Sequence, residues 1–551
     1  MFPAALGGTA ACSPGDAMIP ARTVDVACDS AAVGSAAARA LPVIADAIDP
    51  TPWLRAILTA PVYDVARRTP LDPAPRLSRR LGHQVLLKRE DLQPVFSFKL
   101  RGAYTRLAQL DVGERARGVL AVSAGNHAQG VALGARELGI DALIVMPATT
   151  PRIKVEAVEA LGARIVLHGD GYDAAAAHGR ELSARTGRTL LHPFDDDAVI
   201  AGQGTVAMEL LAQRHGRIDA VFIPVGGGGL AAGMAVYLKA LDPTLRVIAV
   251  EPADAACLQA ALAAGRPVPL AEVGLFVDGC AVREIGARTF PLLAAWVDEV
   301  VTVDADQVCA AIRDVFEDTR SIVEPAGALA VAGLKRWAGE RDTHGLTLAA
   351  VLSGANMNFD RLGHVAERAG IGEQSEALFG VTIPERPGSF LDFCRCIGAR
   401  AVTEFNYRYH DARVAQVYVG VALKGGDAER LALRQDLTAS GFAVADYSDN
   451  EVARLHVRHL VGGPAPGIAR ERLFRFEFPE RPGALLQFLE TLGRRRNITL
   501  FHYRNHGAAY GRVLAGFELA AGADPTFADD LARLGFWHCE ETGNAALRQF
   551  L

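Results

Sequence analysis

"AVFIPVGGGGLAAGMAVYLKALDPTLRVIAVEP", residues 220–252, carries the plan of the chain in one stretch. A short apolar run rich in Val, Ile and Phe reads as a buried strand. Four glycines follow, then "LAAGMAVYLKALDP" of helical length, then a second Val- and Ile-rich run, "RVIAVEP". Strand, helix and strand in this order imply a right-handed crossover and a parallel sheet covered on both faces. The alternation extends outward from about residue 75 to 365. "ALIVMP" (142–147) and "RIVLHG" (164–169) read as strands, and "RIKVEAVEALGA" (152–163) and "DAAAAHGRELSARTG" (173–187) as helices. The expected class for this part is α/β.

After residue 370 the text changes and then repeats itself. "FGVTIPERPGSFLDFC" begins at Phe379 and "FRFEFPERPGALLQFL" at Phe474, with P-E-R-P-G starting at Pro384 and at Pro479. Downstream, "YRYH" at Tyr407 answers "YRNH" at Tyr503, and "GF" recurs at Gly441 and Gly535. Matches that hold register to within a residue or two indicate an internal duplication of a small unit. Each copy reads as strand, turn, helix, two strands, helix and last strand, a ferredoxin-like α+β plan. The expected division is a loose tail over 1–48, the α/β part over 49–366, a linker over 367–376, and units over 377–450 and 472–543. A Gly/Pro-rich connection, "VGGPAPG" (461–467), lies between the units.

Composition narrows the function. The 551 residues suit two to four domains, and 50% are apolar. Lys and Arg number 57 against 63 Asp and Glu, with no basic run suited to a nucleic-acid backbone. No apolar run reaches the roughly eighteen residues needed to span a bilayer. The opening segment lacks the layout of a signal peptide, and Asp16, Asp25 and Asp29 argue against a transit peptide. Eight cysteines are too few for a disulfide framework, so reduced thiols and a cytoplasmic location are expected. The histidines are scattered, no spacing suggests a metal, and no G-x-S-x-G elbow is present.

Four stretches could carry chemistry. In "SFKLRG" (97–102), Lys99 sits among Phe96, Phe98 and Leu100. Apolar surroundings favour the neutral amine, which can attack an aldehyde; the same letters also suit a snorkelling lysine. In "AVSAGNHAQGVALGARELG" (121–139), a strand ends at Ser123, and Ala124, Gly125, Asn126 and His127 open a helix. Such a terminus binds a carboxylate, or is simply capped. Gly226, Gly227, Gly228 and Gly229 join strand to helix, where bare backbone folds around a phosphate or forms a flexible turn. In "LAAVLSGANMN" (348–358), Ser353 ends a buried strand, where its hydroxyl can meet a ring nitrogen or close a turn.

The third stretch has a rival reading. Gly226, Gly228 and Ala231 satisfy G-x-G-x-x-G/A, and Glu251 lies twenty positions on. That is the fingerprint of a dinucleotide site and of an NAD-dependent dehydrogenase. A dehydrogenase gives no part to Lys99 or to the Asn126 helix. A phosphorylated aldehyde accounts for all three.

With "SFKLRGA", "SAGNHAQG", "VGGGGLAAG" and "LSGAN" in this order, the chain resembles the biosynthetic threonine dehydratases, which use pyridoxal 5'-phosphate on the fold-type II scaffold. The likeness runs from about Trp53 to the C-terminus, and the paired repeats resemble ACT-like regulatory units. The resemblance implies that Lys99 holds the cofactor as a Schiff base and later takes the α-proton. Phe98 would pack beside the ring, and Asn126 would bond its phenolic oxygen. Gly226, Gly227, Gly228, Gly229 and Leu230 would cradle the phosphate, Ser353 would face the pyridine nitrogen, and Ser123, Ala124, Gly125, Asn126 and His127 would grip the substrate carboxylate. No acid is evident for the leaving hydroxyl. The substrate would be L-threonine, with L-serine second, and the products 2-oxobutanoate and ammonia. The family also implies a homotetramer inhibited by isoleucine and relieved by valine, with Tyr407, Arg408, Tyr503 and Arg504 as effector candidates. A serine dehydratase or serine racemase shares the core, and a non-catalytic amino-acid sensor would share the fold.

Overall fold

The structure is a computed structural model. It describes residues 48–372, 376–384, 389–398, 400, 402–409, 414–455, 457, 471–479, 484–493, 496, 498–504, 510–519 and 525–550. The loose tail expected over 1–48 lies outside these except for its last residue, as do 461–467 and the E-R-P-G of both repeats.

The α/β part holds two sheets. The larger has six strands in the order Leu71–Pro73, Gln84–Arg89, Thr347–Leu352, Ala220–Pro224, Arg246–Pro252, Glu299–Val303. Every pairing in it is parallel except the first. The smaller sheet runs Arg164–Leu167, Ala142–Met146, Val119–Val122, Thr189–Leu190, all parallel. The expected strands and helices appear close to their expected bounds.

Period-two alternation sends the central strands' side chains to two cores. Val221, Ile223, Val247, Ala249, Ala349 and Val351 pack on one face. Phe222, Ile248, Val250, Leu348, Ala350 and Leu352 pack on the other. Both faces are covered, which is why these strands read as continuous apolar runs.

The helix that begins at Lys99 (Lys99–Ala108) is anchored by a buried ion network. Arg101, fully buried, grips both Glu90 oxygens at 2.8 and 2.9 Å and reaches Glu209 at 2.8 Å. Lys88, also fully buried, donates to Glu209 and to the Thr69 carbonyl, each at 2.6 Å. The helix also lies very near Asp197–Gln213: a Cβ on Gly102 would sit 2.7 Å from the Val199 carbonyl oxygen. Glycine is required there by the close approach.

The duplication is explicit in the sheets. One runs Val402–Tyr409, Val414–Ala422, Glu376–Pro384, Ala443–Asp446; the other runs Ile498–Arg504, Tyr510–Glu518, Glu471–Pro479, His538–Glu540. Both are antiparallel and share one strand order. A short helix follows each last strand, Glu451–Leu455 and Ala545–Phe550. Asn450 donates to Asn544 at 3.4 Å where they meet, and Leu378, Tyr418, Leu514 and Leu547 join one apolar cluster between the units. Residues 367–372, expected to start a linker, instead finish the helix Arg361–Gly372.

Candidate active site

All four stretches border one cleft, and three of them directly follow the ends of parallel strands. Phe98 N donates to the Ser353 carbonyl at 3.2 Å, Ala355 N to the Phe96 carbonyl at 2.8 Å, and Ser97 bridges Gly354. The turn leading into Lys99 is thus stitched to the end of strand Thr347–Leu352. Phe96 takes a φ of +54°, a conformation costly for an aromatic residue, and these bonds hold it there.

Lys99 Nζ donates to the Pro193 carbonyl at 2.9 Å and lies 5.3 Å from the centre of the Phe98 ring. Burial brings its amine down from the usual 10.5 to about 8, against the pull of Cys280 and Glu324. A snorkelling lysine would keep an ordinary value.

Lys99 opens onto a cleft with about 440 Å³ of empty space, counted to its open mouth. The glycine loop forms one side. Gly228 has a φ of +93° and precedes the helix Gly229–Leu241, whose first N–H groups have no earlier partner in the helix. The Gly227 carbonyl accepts from Thr289 Oγ1 at 2.7 Å, and the Gly226 carbonyl from Cys257 Sγ at 3.4 Å. A Cβ on Gly227 would lie 2.3 Å from the Phe194 ring, and one on Gly229 3.0 Å from Phe194 backbone. Any side chain would fill this cradle.

Ser353, buried, donates to the Ala326 carbonyl at 3.0 Å and borders the same cleft. Asn126 starts the helix Asn126–Glu137 and also borders it. Ser123, Ala124 and Gly125 are half-buried just before it. His127 is buried; its Nε2 lies 3.1 Å from the Leu191 carbonyl, Nδ1 has no partner among the described residues, and burial together with Lys99 pushes the ring down to about 3. It is therefore a neutral imidazole. Tyr407, Arg408, Tyr503 and Arg504 occupy matching positions on the strands Val402–Tyr409 and Ile498–Arg504, and their side chains lie outside the described residues.

The dinucleotide reading fails on Glu251. That carboxylate is fully buried and accepts from the N–H groups of Leu258 at 2.7 Å and Gln259 at 2.9 Å. Both oxygens cap a helix, so neither faces a ribose. Burial lifts the group to about 7.

Sequence reasoning missed two residues. Phe194 covers the glycine loop, and Glu324 lines the cleft beside Asn126. Glu324 precedes Pro325 at the start of the helix Pro325–Gly339, so its only local signal is that of a helix start. Among the described residues no group of three or more His, Cys, Asp and Glu could hold a metal, and no helix is long and apolar enough to cross a membrane.

An amine of lowered basicity, a backbone cradle closed to side chains and a buried hydroxyl at a strand end together fit a phosphorylated aromatic aldehyde. The comparisons agree. Residues 62–354 match the family described as pyridoxal-phosphate dependent enzyme. Residues 367–457 and 462–551 each match the C-terminal regulatory domain of threonine dehydratase. The chain is 54% identical over 499 residues to L-threonine dehydratase biosynthetic IlvA of Escherichia coli, covering 91% of this chain and 97% of that protein. It is 49% identical to the mitochondrial threonine dehydratase of Saccharomyces cerevisiae, covering 91% and 90%. The processed form of threonine deaminase isoform 2 from Solanum lycopersicum superposes with a TM-score of 0.59 at 45% identity, over 61% of this chain and 97% of that one.

Proposed function

The chain belongs to the pyridoxal-phosphate-dependent threonine dehydratases that carry a C-terminal regulatory region, and on that premise we propose how its residues divide the work. The reaction is elimination of water from L-threonine to an enamine, which a water molecule then hydrolyses to 2-oxobutanoate and ammonia. Bound pyridoxal phosphate supplies an electrophilic carbon for the substrate amine and an electron sink for the α-carbon.

Lys99 would anchor the cofactor and would serve as the base for the α-proton; its lowered basicity makes the neutral amine available near pH 8. Gly226, Gly227, Gly228, Gly229 and Leu230 hold the phosphate with backbone N–H groups. Phe98 would pack beside the ring. Asn126 would donate to the phenolic oxygen, and the turn from Ser123 to His127 would receive the substrate carboxylate. Ser353 would face the pyridine nitrogen and bring no negative charge, which would favour departure of the β-hydroxyl over transamination.

The observation that carries this reading is Lys99 held between the Pro193 carbonyl and the glycine cradle. Purified protein is expected to be yellow, to be bleached by borohydride with the label fixed on Lys99, and to release ammonia from threonine. Undiminished ammonia release by Lys99→Ala would overturn it.

Isoleucine inhibits and valine relieves, a reading supported by the two regulatory matches and the biosynthetic relatives. Tyr407, Arg408, Tyr503 and Arg504, at equivalent strand positions, serve the effector sites. The chain acts in the cytoplasm, consistent with unbridged cysteines at 257, 280, 309, 394 and 396. It assembles as a homotetramer; Phe96 and Phe359, 56% and 76% exposed, supply apolar surface for such contacts.

A further inference from the structure

Glu324 has no part in the division of work above, yet it borders the cleft and is only 4% exposed. Its meaning follows from a chain of donors and acceptors that starts at a backbone carbonyl. Val95 O can only accept, so the Asn356 group 2.8 Å from it is the amide nitrogen. That nitrogen also lies 2.6 Å from Asn126 Oδ1, which must then be an acceptor. The remaining end of Asn126 is therefore its Nδ2, and it donates to Glu324 Oε1 at 2.5 Å. Both amide orientations are fixed by this logic. One Nδ2 hydrogen of Asn126 goes to Glu324. No acceptor among the described residues takes the other, and Asn126 borders the cleft.

We propose that Glu324 is a positioning residue that acts through Asn126, fixing the amide so that its second Nδ2 hydrogen points at the phenolic oxygen of the bound cofactor. This rests on the pyridoxal-phosphate reading of the cleft. It also gives the cofactor a charge sensor. Burial pushes the Glu324 carboxyl up to about 7; Asp278 adds to the rise, while Asn126, Lys154 and Arg361 oppose it. Asp278 is held ionised by Lys154 at 2.8 Å and Arg361 at 3.6 Å, and Lys99 and Cys280 face the same cleft. As pH rises through about 7, a negative charge appears one side chain from the phenolic oxygen.

The test follows the visible absorption of the holoenzyme from pH 5.5 to 8.5, with wild type, Glu324→Gln and Glu324→Ala. Glutamine keeps the acceptor for Asn126 and cannot ionise. The expected result is a spectral titration with a midpoint near 7 in the wild type that is flat in Glu324→Gln. Glu324→Ala is expected to displace the band at every pH and to lower kcat by roughly a hundredfold, the scale of a small misplacement, with KM little changed. Titrations of Glu324→Gln that coincide with the wild type overturn the proposal, whether or not the alanine variant folds. A colourless wild type that binds no cofactor faults the underlying reading instead.

Discussion

Arg454, on the helix Glu451–Leu455, donates to Asp306 Oδ2 at 2.9 Å, and Asp306 stands in the first turn of Ala305–Thr319 in the α/β part. The other Asp306 oxygen receives Arg368 of Arg361–Gly372 at 2.5 Å. One carboxylate thus meets the first regulatory unit and two helices of the α/β part. Ala305–Thr319 leads by a short loop to Glu324, and Arg361–Gly372 follows the loop of Ser353 and Asn356. Both run to the cleft.

Removing that carboxylate is expected to uncouple the regulatory region from the active site. In Asp306→Asn, the isoleucine concentration for half-inhibition should rise fivefold or more, the lower end of typical coupling free energies, with basal kcat within about twofold of wild type. Steady-state inhibition curves decide it. An unchanged curve assigns the coupling elsewhere, and a wild type indifferent to isoleucine faults the effector reading.

The amine of Lys99 should betray its setting through pH. Its neutral fraction grows as pH rises through about 8, where an ordinary lysine would need 10.5. The rate at which cofactor-stripped protein takes up pyridoxal phosphate should climb with pH and level off just above 8. A rate still climbing at pH 10 would show an ordinary amine.

The glycine cradle admits no side chain. In Gly227→Ala the new Cβ would lie 2.3 Å from the Phe194 ring, forcing the ring to move. Overpacking of this kind costs about 1–3 kcal/mol, roughly one to two decades in cofactor affinity. Cofactor retention after extensive dialysis measures it. Adding Phe194→Ala should recover part of the loss, and no recovery would mean that the methyl blocks the phosphate directly.

Arg101 should matter chiefly for stability. Arg101→Leu leaves Glu90 buried without its main partner and strips Glu209 of one of its two cations, and breaking such a set typically costs about 3–5 kcal/mol. The thermal midpoint should fall by roughly 10 °C. Arg101→Lys should recover little, because an ammonium cannot span both Glu90 oxygens. A midpoint unmoved by either change would show that the network is dispensable.

Much of this was legible in the sequence, for identifiable reasons. Parallel strands covered on both faces announce themselves as apolar runs, so Ala220–Pro224 and Arg246–Pro252 could be placed by eye. Lys99 and the four glycines stand out because their types are costly where they sit. Glu324 was hidden because its neighbours come from distant segments: Asn126 lies 198 positions away. Arg101 was hidden because a charge beside a lysine reads as surface until its carboxylates are found on two other elements. Glu251 shows the converse, where ideal spacing suggested a ribose contact that burial forbids.

The face-to-face packing of the two repeats, with Asn450 against Asn544, has a further consequence. Separate chains meeting through such an interface would part on dilution. Here the partners are tethered in one polypeptide, so their encounter is intramolecular and insensitive to protein concentration. Tethering also frees each copy to drift from its twin: Arg454 clasps Asp306, whereas its counterpart in the later repeat, Arg548, lies near Tyr447. A fused pair can therefore act as a lopsided receptor that exact twofold symmetry would prohibit.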